Sequence, residues 1–397
     1  MTGQLGSTPP PEWPFTGALS AREMRGVFDE TSHLTVGIEE ELTLADPATL
    51  EQTPAVELIL ERAGGDSRFA RELKDTQIEI VTPVAGNALG AALHLAQARL
   101  DLAALAGRDA LLVASGAFPG PGHAGEVVEG ERYEQIADHY PTATAGNLPS
   151  GQHVHVAVQK ADRALAVYNA ARSYLPDLCA LAANSPFLDG RDVGLASARR
   201  TLNDAFQRTG VPPAFPTWEA LADFVAWGRR GGLFPDWSYF WWELRPHLRY
   251  GTLELRATDT QTRLEDALAV AAVWQALVAW LADLHDAGEL PPVHPTVRIE
   301  ENAWRAIRYG IRGWMVDLDT GEPVRTRDRI GSLLEQIEPH AKRIGGAAGL
   351  HTARALLVDN GADRQRSVEE AKGMEGLVRW LADETIGSAE DMLMQRA

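Results

Sequence analysis

Polar and ionisable residues recur two apart at five places in this 397-residue chain: Glu39 and Glu41, Gln77 and Glu79, His153 and His155, Glu243 and Arg245, Glu254 and Arg256. Clustered carboxylates with an imidazole suit Mg2+ or Mn2+, hard cations that prefer oxygen, better than Zn2+ or Cu2+. Mg2+ usually keeps waters and takes substrate phosphates into its shell. Arginines beside such a cluster therefore point to nucleotide-phosphate chemistry, in which Arg245 and Arg256 would clamp phosphoryl oxygens. The single Cys179 excludes an intrachain disulfide and a Cys-based zinc cluster, so any metal must be held by Asp, Glu and His.

These pairs need strands to act together, because successive strand side chains point to opposite faces and residues two apart share one. Period and composition predict strands over 33–44, 77–82, 110–114, 151–159, 239–246 and 251–259. In the first, Glu39 and Glu41 oppose Val36, Ile38, Leu42 and Leu44, with Glu40 the one acid on the apolar side. His153 and His155 oppose Val154 and Val156, and Glu254 and Arg256 oppose Leu253 and Leu255. A sheet half in water explains any single strand of this kind. Five together, gathering acids, histidines and arginines, favour a shared site, since unpaired like charges at ~4 Å repel by about 1 kcal/mol in water and several near a protein. A divalent cation would relieve that repulsion.

Helices are predicted over 88–106, 131–139, 163–183, 217–229, 264–287, 300–309, 326–344 and 368–384. Thr262 and Glu265 fit a capping box for the fifth, and Gly288 fits its stop. The segment 247–251 reads as a hairpin turn, and no repeat is visible. Residues 1–33, with the Pro-rich 9–14, read as a flexible lead-in, followed by a single catalytic domain over 34–397. The stretch 267–284 contains Gln275 and Asp283 and falls short of a spanning helix. Without a signal peptide or spanning segment, a cytoplasmic location is expected.

Several function classes are excluded. Asp+Glu 55 against Lys+Arg 37 gives a net charge of -18, the wrong sign for nucleic acid or an anionic membrane. None of the four lysines completes a P-loop, and neither HExxH nor GxSxG occurs. Gly120–Gly125 matches GxGxxG, but GluValValGluGly follows in place of a helix. A glycosidase dyad would normally draw its carboxylates from separate elements, unlike Glu39 and Glu41. The remaining histidines lack ligand spacing and read as surface or core. Ten of the 11 tryptophans lie between Trp218 and Trp380 and read as core packing, with Trp241 able to wall a pocket. The 301–310 segment puts Asn302, Arg305 and Tyr309 on one helical face, as a solvated helix or a donor wall for substrate.

Gly37-Ile38-Glu39-Glu40-Glu41, Gln77-Ile78-Glu79-Ile80-Val81-Thr82-Pro83, Ser150-Gly151-Gln152-His153-Val154-His155, Trp241-Trp242-Glu243-Leu244-Arg245-Pro246, Tyr250-Gly251-Thr252-Leu253-Glu254-Leu255-Arg256 and the 301–310 segment, in this order, resemble the type 2 glutamate–cysteine ligase family. The match is to its YbdK-like carboxylate–amine ligase branch, within the glutamine-synthetase-like superfamily. The resemblance implies an α+β fold, a curved antiparallel β-sheet funnel with helices on its outer face, holding ATP and Mg2+ (or Mn2+). It implies Glu39, Glu41, Glu79, His153 and Glu254 as metal ligands and Arg256 as the residue that stabilises the transferred phosphoryl group. Arg245 and Arg305 carry over as phosphate or substrate-carboxylate contacts. Relatives often have Gly-x-His-Pro after the third strand; this chain has Gly116-Ala117-Phe118-Pro119.

The implied reaction is ATP-dependent formation of a γ-glutamyl amide through an acyl phosphate, with glutamate and cysteine as substrates. The alternatives are the same chemistry on another acid and amine, a metal-dependent hydrolase, or an acidic scaffold for a basic partner. Small-molecule substrates are expected, without nucleic acid or membrane partners. An exposed sheet edge and many tryptophans are compatible with a homodimer.

Overall fold

The computed structural model describes residues 19–122 and 124–395. Its strands are β1 (Val36–Ala45), β2 (Phe69–Arg71), β3 (Gln77–Val81), β4 (Leu111–Val113), β5 (Gly151–Ala157), β6 (Phe187–Leu188), β7 (Arg191–Asp192), β8 (Leu244–His247), β9 (Thr252–Asp259), β10 (Trp314–Val316) and β11 (Pro323–Arg325). The main sheet runs β2-β3-β1-β5-β9-β8, and β4 pairs with the far end of β1. Every pair in it is antiparallel. Two small hairpins, β6-β7 and β10-β11, stand apart. The expected combination of helices with an antiparallel sheet is what the chain forms.

One sheet face is apolar. Ile38, Leu42, Ile78, Ile80, Val154, Val156, Leu253 and Leu255 are fully buried in the main core. Helices cover this face, chiefly Ala88–Ala106 and Leu264–Ala287. Asn87 starts the first, its side chain accepting from Gly90 N–H. The second has 24 residues and is long and apolar enough by length and composition to cross a membrane, contrary to the sequence reading, but most of it is buried inside this core. Gln275 is satisfied there, donating to the Leu34 carbonyl and accepting from Ala88 N–H.

Other boundaries differ for local reasons. The Leu264–Ala287 helix has no capping box: Thr262 donates to the Ala114 carbonyl, and Ser388 accepts from Leu264 N–H. Gly288 does end it, with φ 75. The helix expected over 163–183 is broken into Ala161–Ala171, a 3-10 turn at Arg172–Tyr174 and Leu175–Leu181, the last opened by Pro176. Strand pairing over 239–246 begins only at Leu244, because Phe240 and Trp242 pack together at 4.4 Å in an aromatic cluster. The final helix is longer than expected, Gly361–Met394, kinked at Gly373.

Residues 19–33 are not a loose lead-in. A helix spans Ala21–Glu30, started by a reciprocal Ser20–Glu23 capping box. Met24 and Phe28, four apart, are both fully buried, and Phe28 meets Trp218 at 5.0 Å. That spacing was visible in the sequence beneath the Pro-rich composition. Residues 1–18 of the expected lead-in, and His123 of the GxGxxG match, lie outside the described residues.

Candidate active site

Antiparallel pairing sets residues directly opposite one another on one face. The register therefore turns the five two-residue spacings into rows. Glu41 is opposite Glu79, and Glu39 is opposite His153. His155 is opposite both Gly37 and Glu254, and Glu254 is opposite Arg245. The β5-β9 register shifts between Gln152 and Val154, a bulge that locally re-aims side chains beside His153 and Arg256.

The rows floor a cleft of about 420 Å³ lined by Glu39, Glu41, Glu72, Glu79, His153, Arg199, Arg245, Arg256 and others. A second groove of about 440 Å³, near Trp218, offers only Arg25, Asp162 and Glu219 as charged lining. Within the cleft, His153 Nδ1 lies 3.4 Å from Glu39 Oε2, and His155 Nε2 lies 3.2 Å from Glu39 Oε1 and 4.0 Å from Glu254 Oε1. Potential ligand atoms of Glu39, His155 and Glu254 lie within 4.8 Å of one another, as do those of Glu39, Glu79 and His153. The two groups share Glu39. His153 Nε2 and His155 Nε2 are buried without a hydrogen bond. Such orphaned nitrogens among carboxylates fit the donor set a divalent cation takes.

Electrostatics divide these groups. Burial, with Glu72, Glu39 and Glu41 adding like charge, pushes the Glu79 carboxyl well above its usual range. Burial and Glu41 likewise push Glu72 up to about 8. Burial would raise Glu39 too, but His155 and His153 outweigh it and hold that carboxyl well below the usual range. Burial also opposes ionisation of Glu254, where Arg245 and Arg256 prevail and bring it down.

Glu254 is fully buried between those two arginines. Arg245 donates to it from Nε at 2.5 Å and Nη2 at 3.1 Å, and its Nη1 donates to the Ser238 and Phe240 carbonyls. Arg245, expected as a phosphate contact, thus has its guanidinium engaged within the protein. Arg256 donates to Glu254 from Nη1 at 2.6 Å, while its buried Nε has no partner. Glu243, paired with Arg245 by spacing, instead binds Arg200 away from the cleft.

Glu39, Glu41, Glu79 and His153 come together as read from the sequence, with Glu254 beneath them. Arg305 does not: it lies half-buried on the Thr296–Tyr309 helix and does not line the cleft. Asn302 on the same helix is fully buried, donating to the Val316 carbonyl and accepting from Val316 N–H. It ties β10 to that helix and is no donor wall for substrate. Asn302→Ala should lower stability by about 1–3 kcal/mol, as the buried Val316 groups lose their partners, with activity per folded molecule unchanged; denaturant titration beside an activity assay checks both. The Gly116–Pro119 departure is also structural. Phe118 packs in a separate cluster with Leu377 and Val378, and a Cβ at Gly116 would meet Asp259 at 2.4 Å.

His155 is missing from the ligand set read from sequence, although its spacing from His153 was the available signal. Glu72, Arg132, Tyr133 and Arg199 lie outside the strands, Arg132 and Tyr133 on the Glu131–His139 helix and Arg199 at the start of the Arg199–Asn203 helix, so strand parity could not place them. Trp241, flagged by its face, does wall the cleft, beside Phe206 and Tyr133.

The model of the family described as glutamate-cysteine ligase family 2 matches residues 35–384. The protein named "Putative glutamate--cysteine ligase 2-1" of Rubrobacter xylanophilus is 34% identical over 347 residues, covering 86% of this chain and 92% of its own. "Putative glutamate--cysteine ligase 2" of Sorangium cellulosum is 34% identical over 353 residues, covering 87% and 94%. Among solved structures, glutamate–cysteine ligase of Francisella tularensis in complex with AMP aligns with a TM-score of 0.64 at 12% identity, covering 92% of this chain and 90% of that one. A bifunctional glutathione synthetase from Pasteurella multocida aligns with a TM-score of 0.58 at 16% identity, covering 93% and 54%. At such identities the structural likeness is one of fold.

Proposed function

The chain belongs to the glutamate–cysteine ligase family 2 and is a ligase, and from that premise we propose that it joins a carboxylate to an amine at the expense of ATP, through an acyl phosphate, with glutamate and cysteine as the first pair to test. The observation that carries this reading is the pair of ligand-capable groups meeting at Glu39, with Arg256 beside them. Carboxylates able to hold a divalent cation beside arginines able to meet phosphoryl oxygens suit phosphoryl transfer, and membership of a ligase family favours transfer to a carboxylate over transfer to water.

Glu39, Glu41, Glu79, His153, His155 and Glu254 would hold Mg2+ or Mn2+, with Glu72 beside them. When bound, such ions neutralise phosphate charge and hold the reactants in line. The chain's own groups do the rest. Glu254 fixes Arg256, through a bond of 2.6 Å, at the edge of the acid cluster. The free Arg256 Nε is then a donor for the phosphoryl oxygens as charge builds on them. Arg245 anchors Glu254 from below and keeps it ionised. Trp241, Phe206 and Tyr133 line the wall, where they limit water around a reactive acyl phosphate. The acyl phosphate, formed on the acid's carboxylate, is attacked by the amine nitrogen with loss of inorganic phosphate, giving the amide.

ADP release is expected to require a divalent cation and both organic substrates, and to vanish with excess EDTA and return with added Mg2+. Measured with glutamate plus cysteine and then with a panel of amines and acids, ADP release confined to one pair names the substrates. Hydrolytic turnover without ATP would overturn the ligase mechanism in favour of a metal-dependent hydrolase.

A further inference from the structure

Five arginines line the cleft among the described residues. Arg245 and Arg256 are paired with Glu254, and Arg71 with Glu57. Arg132 donates to Ser238 Oγ and lies over the Tyr239 ring. Arg199 differs from all four. It is 4% exposed, its Nε is buried without a partner, and its guanidinium makes neither a hydrogen bond nor an ion pair with any described residue. Glu41 and Asp259 act on it as nearby opposite charges but neither bonds it, and a buried donor fork without hydrogen bonds is costly, so it is built for an anion that arrives from outside.

Its position is also built. The guanidinium lies over Gly151 at the start of β5, where a Cβ would stand 2.4 Å from Arg199 Nη2 and 2.9 Å from His153 Nε2. Glycine at 151 thus opens the space that brings the cation against the acid cluster. The backbone that delivers Arg199 is held by Asp259, fully buried at the end of β9. Asp259 Oδ2 accepts from Asn184 N–H and Ser185 Oγ, and Oδ1 from Ser197 Oγ, all at 2.7 Å. Ser185 Oγ accepts in turn from Arg199 N–H at 3.2 Å, and the Ser185 carbonyl from Ala198 N–H at 2.8 Å. The hydrogen bonds of the carboxylate come from neutral donors, so Asp259 offsets the charge of Arg199 without occupying its N–H groups.

We propose that Arg199 binds an anionic group of a reactant, a carboxylate of the acid substrate or a phosphoryl group of the nucleotide, and that Asp259 is a positioning residue that sets Arg199 through Ser185 and Ser197. This rests on the ligase reading, and the two are tested apart by measuring binding without turnover. Titration calorimetry with magnesium-ATP in one arm and glutamate in the other compares wild type with Arg199→Gln, Arg199→Lys and Asp259→Asn. Arg199→Gln is expected to weaken one ligand at least tenfold and leave the other within twofold; the affected arm tells carboxylate from phosphoryl. Arg199→Lys, which keeps the charge and loses the fork, should fall between. Asp259→Asn should weaken the same arm, and in the double variant add nothing to Arg199→Gln. If Asp259→Asn does not fold, Ser197→Ala serves, with a smaller loss in the same arm. Unchanged binding in Arg199→Gln, equal loss in both arms, or no binding of either ligand by wild type would overturn the Arg199 assignment. Additive losses in the double variant would overturn the role of Asp259. Binding by wild type without ADP release from any acid and amine of the panel would reject the ligase reading and leave the Arg199 contrast standing.

Discussion

Glu39→Gln is expected to cut ADP release by at least about a hundredfold while the fold stays intact, more than the 10–100-fold that loss of a residue merely supporting a metal ligand costs. Glu39 is common to both ligand-capable groups, so removing its charge weakens both at once. It is also the carboxylate that His153 and His155 hold ionised, whereas Glu79 and Glu72 are pushed toward their neutral forms. The substitution leaves size and shape nearly unchanged on a side chain that is 20% exposed, and it removes one like charge from beside Glu79. Stability should change little, the lost attraction to His153 and His155 being offset by relief of the repulsion at Glu79. Glu254 is a poorer place for this test: Glu254→Ala would strand Arg245 and Arg256 as buried cations and mix loss of fold with loss of chemistry. ADP release measured beside thermal melting and circular dichroism of Glu39→Gln separates the two. Activity retained on an intact fold would remove the metal assignment.

The parts of this site that lie on strands were legible, because period two is a property of the backbone and survives without knowledge of neighbours. Parity put Glu39 with Glu41 and His153 with His155 on one face. It could not say which strands adjoin, and the register supplies that by setting Glu39 against His153 and Glu254 against His155. Parity also misled where backbone left the strand geometry. Glu243 and Arg245 are two apart, yet pairing starts at Leu244, and Glu243 turns to Arg200. Residues supplied from outside the strands, such as Glu72 on a loop and Arg199 at the start of the short Arg199–Asn203 helix, had no comparable signal. Glu72 and Arg199 reach the cleft through chain paths fixed by distant contacts, such as the Asp259 network 60 residues beyond Arg199 in sequence. Arg305 failed for the converse reason: its helix was read correctly, but the position of a helix in the fold depends on its partners. Among them, Asn302 binds that helix to β10.

Glu40 gives the sharpest test of parity, because it adjoins Glu39 and should do none of its work. It faces the apolar side, fully buried, and Arg99 of the Ala88–Ala106 helix meets it with Nε at 2.8 Å and Nη2 at 2.5 Å. Arg99 also donates to the Gln261 carbonyl at 2.6 Å, the Thr262 carbonyl at 2.8 Å and the Thr385 carbonyl at 3.2 Å. One buried ion pair thus ties β1 to its covering helix, to the entry of the Leu264–Ala287 helix and to the last helix. Glu40→Gln is expected to cost about 3–5 kcal/mol, since it leaves a guanidinium charge uncompensated in the core. Arg99→Met should cost a similar amount by stranding the carboxylate. Removing both charges in Glu40→Leu/Arg99→Met should recover part of the loss, but not all, because three buried carbonyls still lack the donors that Arg99 gave them. Denaturant unfolding measures these differences, and ADP release per folded molecule should remain at the wild-type level in Glu40→Gln. Were Glu40→Gln to lose activity at unchanged stability, the assignment of opposite faces to neighbouring acids would fail, and the site built on that alternation would fail with it.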